Sequence, residues 1–171
     1  MKIAFLQDFF DNEIIGGAEK NDSVLLSHLC QLGMQVIPVH TYMVDSVIEC
    51  YDFFIVSNFT RLSQQAKLYL MQKQNYIIYE HDHKYVTNRN PAAFKDFVVP
   101  KNMIVNGDFY SSARKVFVLS KVCKEVIEAN LQIDNVHNIA CSLWSKEEMS
   151  TIREIGCTSG KSKEYGILQS N

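Results

Sequence analysis

The sequence predicts an α/β domain, a Rossmann-like doubly wound parallel sheet. Two observations carry that expectation. Short continuous apolar runs such as "KIAFL" (2–6) and "FFIV" (53–56) recur along the chain, as strands buried on both faces require. Between them lie stretches with helical spacing of apolar residues, the order that builds crossover connections. At 171 residues the chain is long enough for one domain with a sizeable core.

The elements follow in order. Residues 2–8 read as a buried strand. Residues 17–33 read as a helix with Val24, Leu25, His28, Leu29 and Leu32 on one stripe and Gly33 at its end. "QVIPVH" (35–40) is a second strand, placed at an edge or kept short because Pro38 has no N–H to donate. "DFFIVSN" (52–58) is a third strand, with a helix over 62–73 behind it. "NYIIYEH" (75–81) is a fourth, followed by a polar loop to about Pro91. A short helix at 106–114 leads to "KVFVLS" (115–120), then to a helix over 121–130 with Val122, Val126 and Ile127 inward. "NVHNIAC" (135–141) is a sixth strand. The domain is expected to span 1–144. Residues 145–164 read as a helix and linker, and "YGILQSN" (165–171) as the first strand of a second domain.

Composition excludes several classes. The formal net charge of −2 gives no basis for nucleic-acid binding or for a basic membrane-binding surface. No apolar run is long enough to span a bilayer, and the start "MKIAFLQDFF" turns acidic too early for a signal peptide. The five cysteines show no CxxC spacing. They read as reduced thiols of a cytoplasmic protein, with no zinc-ligand pattern.

The stretch "QDFFDNEIIGGAEK" (7–20) raises the first functional question. It lies at the carboxyl end of the first strand, where open α/β sheets bind ligands. Gly16 and Gly17 lack a Cβ, so they permit positive φ and close approach of a ligand to the backbone. The N–H groups of the following helix can then face an anion. A plain tight turn into the helix satisfies the same spacing. Neither G-x-G-x-x-G nor the Walker pattern is present.

A strand like "KIAFLQDFF", then "GGAE", then a long helix resembles the N-terminal domain of GT-B glycosyltransferases, and more narrowly the retaining enzymes of glycosyltransferase family 4. "YIIYEHD" (76–82) is similar to the family's strand that ends in a histidine near the reacting sugar. "KVFVLSKVCKEVI" (115–127) is similar to its strand–serine–helix segment before the interdomain linker. The resemblance implies one half of a GT-B architecture whose donor is a nucleotide-diphosphate sugar, with no metal or other cofactor. It implies that Gly16, Gly17, Glu19, Asp82 and Ser120 bind the donor diphosphate or substrate, and that His81 acts at the transferred sugar. The family's second domain carries an E-x7-E pair, which this chain lacks. The expectation is therefore an acceptor-side half whose partners are the donor, a glycan or other acceptor, and a C-terminal domain. The isolated chain should be inactive or nearly so, with the cleft wall as a candidate homodimer face.

"YEHDH" (79–83) is the second concentration of chemistry. If the strand continues, His81 and His83 share one face and Glu80 and Asp82 the other. Such a cluster suits a metal or proton transfer. The family resemblance gives His81 a hydrogen-bonding role instead, and a solvated polar loop is the plain alternative. Other residues invite simpler readings. His28 is a packed or half-exposed side chain of a helix. Ser120 caps a helix. Tyr42, Tyr79, Tyr85 and Tyr110 either line a sugar cleft or lie in the core. Arg61 and Lys84 are candidate anion contacts, and Trp144 packs the linker helix on the domain. Besides the transferase, two functions fit the sequence. One is a non-catalytic module binding a glycan or partner domain. The other is a metal-dependent hydrolase using His81, Asp82 and His83.

Overall fold

The computed structural model describes residues 1–158. Six strands form one sheet: β1 (Lys2–Gln7), β2 (Gln35–His40), β3 (Phe53–Val56), β4 (Tyr76–Glu80), β5 (Val116–Val118) and β6 (Val136–Asn138). All neighbours pair in parallel, in the order β2-β1-β3-β4-β5-β6. The helices are α1 (Gly17–Gln31), α2 (Gln64–Lys73), α3 (Gly107–Ser112), α4 (Lys121–Leu131) and α5 (Lys146–Thr158). This is the Rossmann-like α/β fold that the apolar runs predict.

Helices cover the sheet on both faces, so alternate residues of each strand enter two cores. Ile3, Phe5, Val36, Ile55 and Tyr79 pack toward Leu25, Leu26 and Leu29 of α1. Ala4, Leu6, Phe54, Val56, Tyr76 and Ile78 face the opposite way, with Ala66 and Leu70 of α2, Phe109 and Tyr110 of α3 and Ile127 of α4. β2 is one of the two edge strands, and it runs a full six residues. Pro38 is tolerated because that edge has no neighbour to receive an N–H.

Caps fix the helix starts. Ser63 Oγ accepts from Ala66 N–H at 3.0 Å and Ser120 Oγ from Cys123 N–H at 3.1 Å. Ser145 and Glu148 cap α5 reciprocally: Ser145 N–H donates to Glu148 Oε2 at 2.9 Å and Glu148 N–H to Ser145 Oγ at 3.1 Å. α1 differs, because its N-cap is Gly16, which supplies no side chain.

Several local expectations are corrected. Leu32 lies past the end of α1 and is 77% exposed, and His28 is exposed; Leu26 packs inward instead. Val122 is exposed, and Cys123 takes its place against the core. Residues 41–50 and 91–103 form short 3-10 turns that carry no helical periodicity. The strand-like "YGILQSN" and the linker from residue 159 lie outside the described residues. Among the described residues no helix is long and apolar enough to cross a membrane.

Candidate functional site

Strand order reverses between β1 and β3, which makes their carboxyl ends the switch point where open sheets bind ligands. A cavity of about 540 Å³ opens there, within the range of small-molecule sites. Its wall includes the first turn of α1 (Gly17 to Asn21), Asn58 after β3, and His81, Asp82 and Lys84 after β4. Arg89, Trp144 and Glu148 close the outer side.

The first turn of α1 is unusually polar on its inner face. Glu19, Asn21 and Asp22 are all buried. Ser57 Oγ donates to Asp22 Oδ2 at 2.6 Å, and His81 Nε2 lies 2.9 Å from Asp22 Oδ1. The Tyr79 hydroxyl donates to Asn21 Oδ1, and the Tyr79 and His81 rings meet edge to face at 4.7 Å. A carboxylate only accepts, so His81 Nε2 carries the proton of this hydrogen bond. Among the sequence candidates His81 is thus held firmly, with its side chain only 6% exposed.

Gly17 lines the cavity and Gly16 does not, and neither has the backbone expected of it. Neither has positive φ: Gly16 is extended (φ −130) and Gly17 opens the helix. A Cβ on Gly16 would overlap the Glu19 carboxylate, whereas a Cβ on Gly17 would meet nothing within 4 Å. Glu19 turns back toward Gly16 and accepts from Asn58 Nδ2 at 3.5 Å. Its charge occupies the positive end of the α1 dipole, where a ligand anion would otherwise sit. Asn58 Oδ1 is buried without a hydrogen-bond partner among the described residues.

The second half of "YEHDH" disperses. β4 ends at Glu80, and His83 adopts left-handed backbone (φ 55). His83 therefore leaves His81 and meets Cys123, its Nε2 lying 3.8 Å from Sγ. Asp82 is held by Lys84 Nζ at 2.5 Å and Arg89 Nη1 at 3.0 Å. His81, Asp82 and His83 thus take separate partners, and no group of three His, Cys, Asp or Glu among the described residues could hold a metal.

Lys84 of the cavity wall belongs to a buried pair with Glu80 that the sequence reading missed. Lys84 Nζ donates to Glu80 Oε1 at 3.2 Å, the Asp82 N–H donates to the same oxygen at 2.8 Å, and the Tyr110 hydroxyl donates to Glu80 Oε2. Burial pushes the Glu80 carboxyl up, but the Lys84 charge and these hydrogen bonds outweigh it and bring the group down to about 2. Burial likewise pulls the Lys84 ammonium down, and its two carboxylate partners more than restore it, to a net rise. Lys84 is accordingly a paired structural cation.

Of the remaining candidates, Ser120 is taken up by capping α4 and does not line the cavity. Arg61 stacks over Phe9 at 4.3 Å. Tyr79, Tyr85 and Tyr110 are core residues, while Tyr42 is exposed and stacks on His40 at 4.9 Å. Trp144 is 53% exposed and borders both this cavity and a smaller one lined by Ser23 and Val24 of α1 and Lys146 of α5. An ion pair also links α1 to α5, with Lys20 Nζ 3.2 Å from Glu148 Oε1. Asp22 and Asn58 are the site residues that sequence reasoning missed. The signal for Asp22 was a polar residue one turn ahead of Leu25, Leu26 and Leu29, on the stripe that faces the sheet.

No protein-family model, no curated protein and no solved structure matches the chain.

Proposed function

We propose that this chain is the acceptor-side domain of a retaining GT-B glycosyltransferase, moving a sugar from a nucleotide-diphosphate sugar with the help of a second domain. One observation carries the reading: the uncapped first turn of α1 and His81 border one cavity at the sheet's switch point. In this account the N–H groups at the start of α1 face the donor diphosphate. Glu19 must swing aside for this, because two anions cannot share the helix end. The outer ion pairs, Lys20 with Glu148 and Arg89 with Asp82, are exposed enough to exchange partners. His81, oriented by Asp22, presents Nδ1 to a sugar hydroxyl, so that positioning and charge complementarity act as the glycosidic bond breaks.

The test is saturation-transfer NMR on the full chain with UDP- and GDP-sugars, the free nucleoside diphosphates and the corresponding free sugars. The expected result is contact with the nucleotide sugars that Gly17→Trp abolishes. A Cβ at Gly17 meets nothing within 4 Å, so a large side chain is tolerated at this cavity-lining position. Contact with free sugars alone, insensitive to Gly17→Trp, would instead favour a glycan-binding module.

A further inference from the structure

On the opposite face of the sheet from α1, Cys123 forms a second reactive cluster that the transferase reading does not use. It is the third residue of α4, half-buried, with its N–H donated to Ser120 Oγ. Its Sγ lies 3.8 Å from His83 Nε2. The left-handed backbone at His83 delivers the imidazole from a position 40 residues away. His83 Nδ1 is buried with no hydrogen-bond partner among the described residues. Cys30, Cys50, Cys141 and Cys157 are exposed thiols.

We infer that Cys123, with His83 as its proton partner, is a modification site at which hydrogen peroxide oxidises the thiol to a sulfenic acid. A neighbouring imidazole and the first turn of a helix both favour the thiolate, which is the reacting form. The His83 hydrogen bond lowers the Cys123 thiol, burial opposes it, Ser120 adds to the lowering and the Glu80 carboxylate opposes it weakly. The Tyr85 ring meets the His83 ring edge to face at 5.6 Å. In the reaction the thiol proton passes to His83, and the thiolate attacks one peroxide oxygen. The S–O bond forms as the O–O bond breaks, and the departing hydroxide takes the proton from His83 and leaves as water. Sulfur loses two electrons and peroxide gains them, so no further oxidant is required.

The site is independent of the proposed sugar chemistry, although His83 is only two residues from His81. The experiment uses the full chain. Iodoacetamide pulses at neutral pH are read by peptide mass spectrometry, and hydrogen peroxide treatment is followed by dimedone trapping of sulfenic acid. Cys123 is expected to alkylate about threefold or more faster than the four exposed cysteines, allowing for the lower nucleophilicity of a more acidic thiol. It should also be the principal dimedone adduct. His83→Gln should slow Cys123 to the rate of the others or below and leave theirs unchanged. Should that variant fail to fold by circular dichroism, the wild-type pH profile decides. Cys123 must then reach half its maximal alkylation rate at a lower pH than the exposed thiols. Slower alkylation than theirs, no sulfenic adduct, or an unchanged rate in folded His83→Gln would overturn the assignment.

Discussion

His81 Nε2 lies 2.9 Å from Asp22 Oδ1, joining the end of β4 to the first turns of α1 across 59 positions of sequence. The same carboxylate accepts from Ser57 at the end of β3. Three elements around the switch point thus converge on one buried side chain. Asp22 holds the imidazole by Nε2, and His81 borders the cavity in a set orientation.

Asp22→Asn should loosen that hold. The amide nitrogen cannot accept, so either Ser57 or His81 loses its partner. A cost of about 1–3 kcal/mol is expected for a buried donor left unpaired, measured by urea unfolding. The NMR resonances of the His81 ring should shift and broaden as its orientation loosens.

The Glu80–Lys84 pair sets an acid limit on stability. The folded Glu80 carboxyl is held below its ordinary value of 4.5, at about 2. The stabilisation is therefore complete above about pH 4.5 and is lost as pH falls toward 2. Lys84, raised above 10.5, contributes stability that persists through neutral pH and is lost only in strong alkali. Glu80→Gln should remove the acid-side dependence and cost roughly 3–5 kcal/mol, because it leaves a buried ammonium short of a partner. Unfolding free energies between pH 2 and 7 test both statements.

Ser120→Ala separates capping from substrate binding. Loss of the bond to Cys123 N–H should cost about 1 kcal/mol of stability and leave nucleotide-sugar contacts unchanged. A loss of those contacts in a folded variant would restore Ser120 to the binding set.

Glu19→Gln bears on the anion position at α1. Removing a carboxylate from the helix end should raise the affinity for a nucleoside diphosphate severalfold, since one such charge is worth about 0.3–1 kcal/mol there. Titrations at fixed ionic strength read this directly, and weaker binding would mean that Glu19 itself contacts the ligand.

Much of the scaffold was legible because it depends on local pattern. "KIAFL" and "FFIV" are apolar on successive residues because both sheet faces are covered, and Pro38 marked an edge strand. Ser120 was read correctly as a cap from its place between strand and helix. Leu32 and Val122 misled because apolar spacing says nothing about where a helix ends or which flank another element covers. The site was less legible, since its decisive pairings join residues far apart in sequence. "YEHDH" suggested alternation, but β4 stops at Glu80 and the left-handed turn at His83 sends the two histidines to different faces. Asp22 and Asn58 gain meaning only when β3, β4 and α1 come together. Neither glycine has the positive φ that the spacing suggested, and only Gly16 is confined by a neighbour, the Glu19 carboxylate.

The most direct test of the proposed function is an amide-resolved NMR titration of the full chain with UDP- and GDP-sugars. The account expects one of these donors to shift the amides of Gly17 to Asn21 together with His81, and the free sugar to leave the α1 amides unmoved. Shifts confined to other surfaces, or none at donor concentrations of about 10 mM, where even a weak fragment site with Kd near 1 mM would be filled, would contradict it.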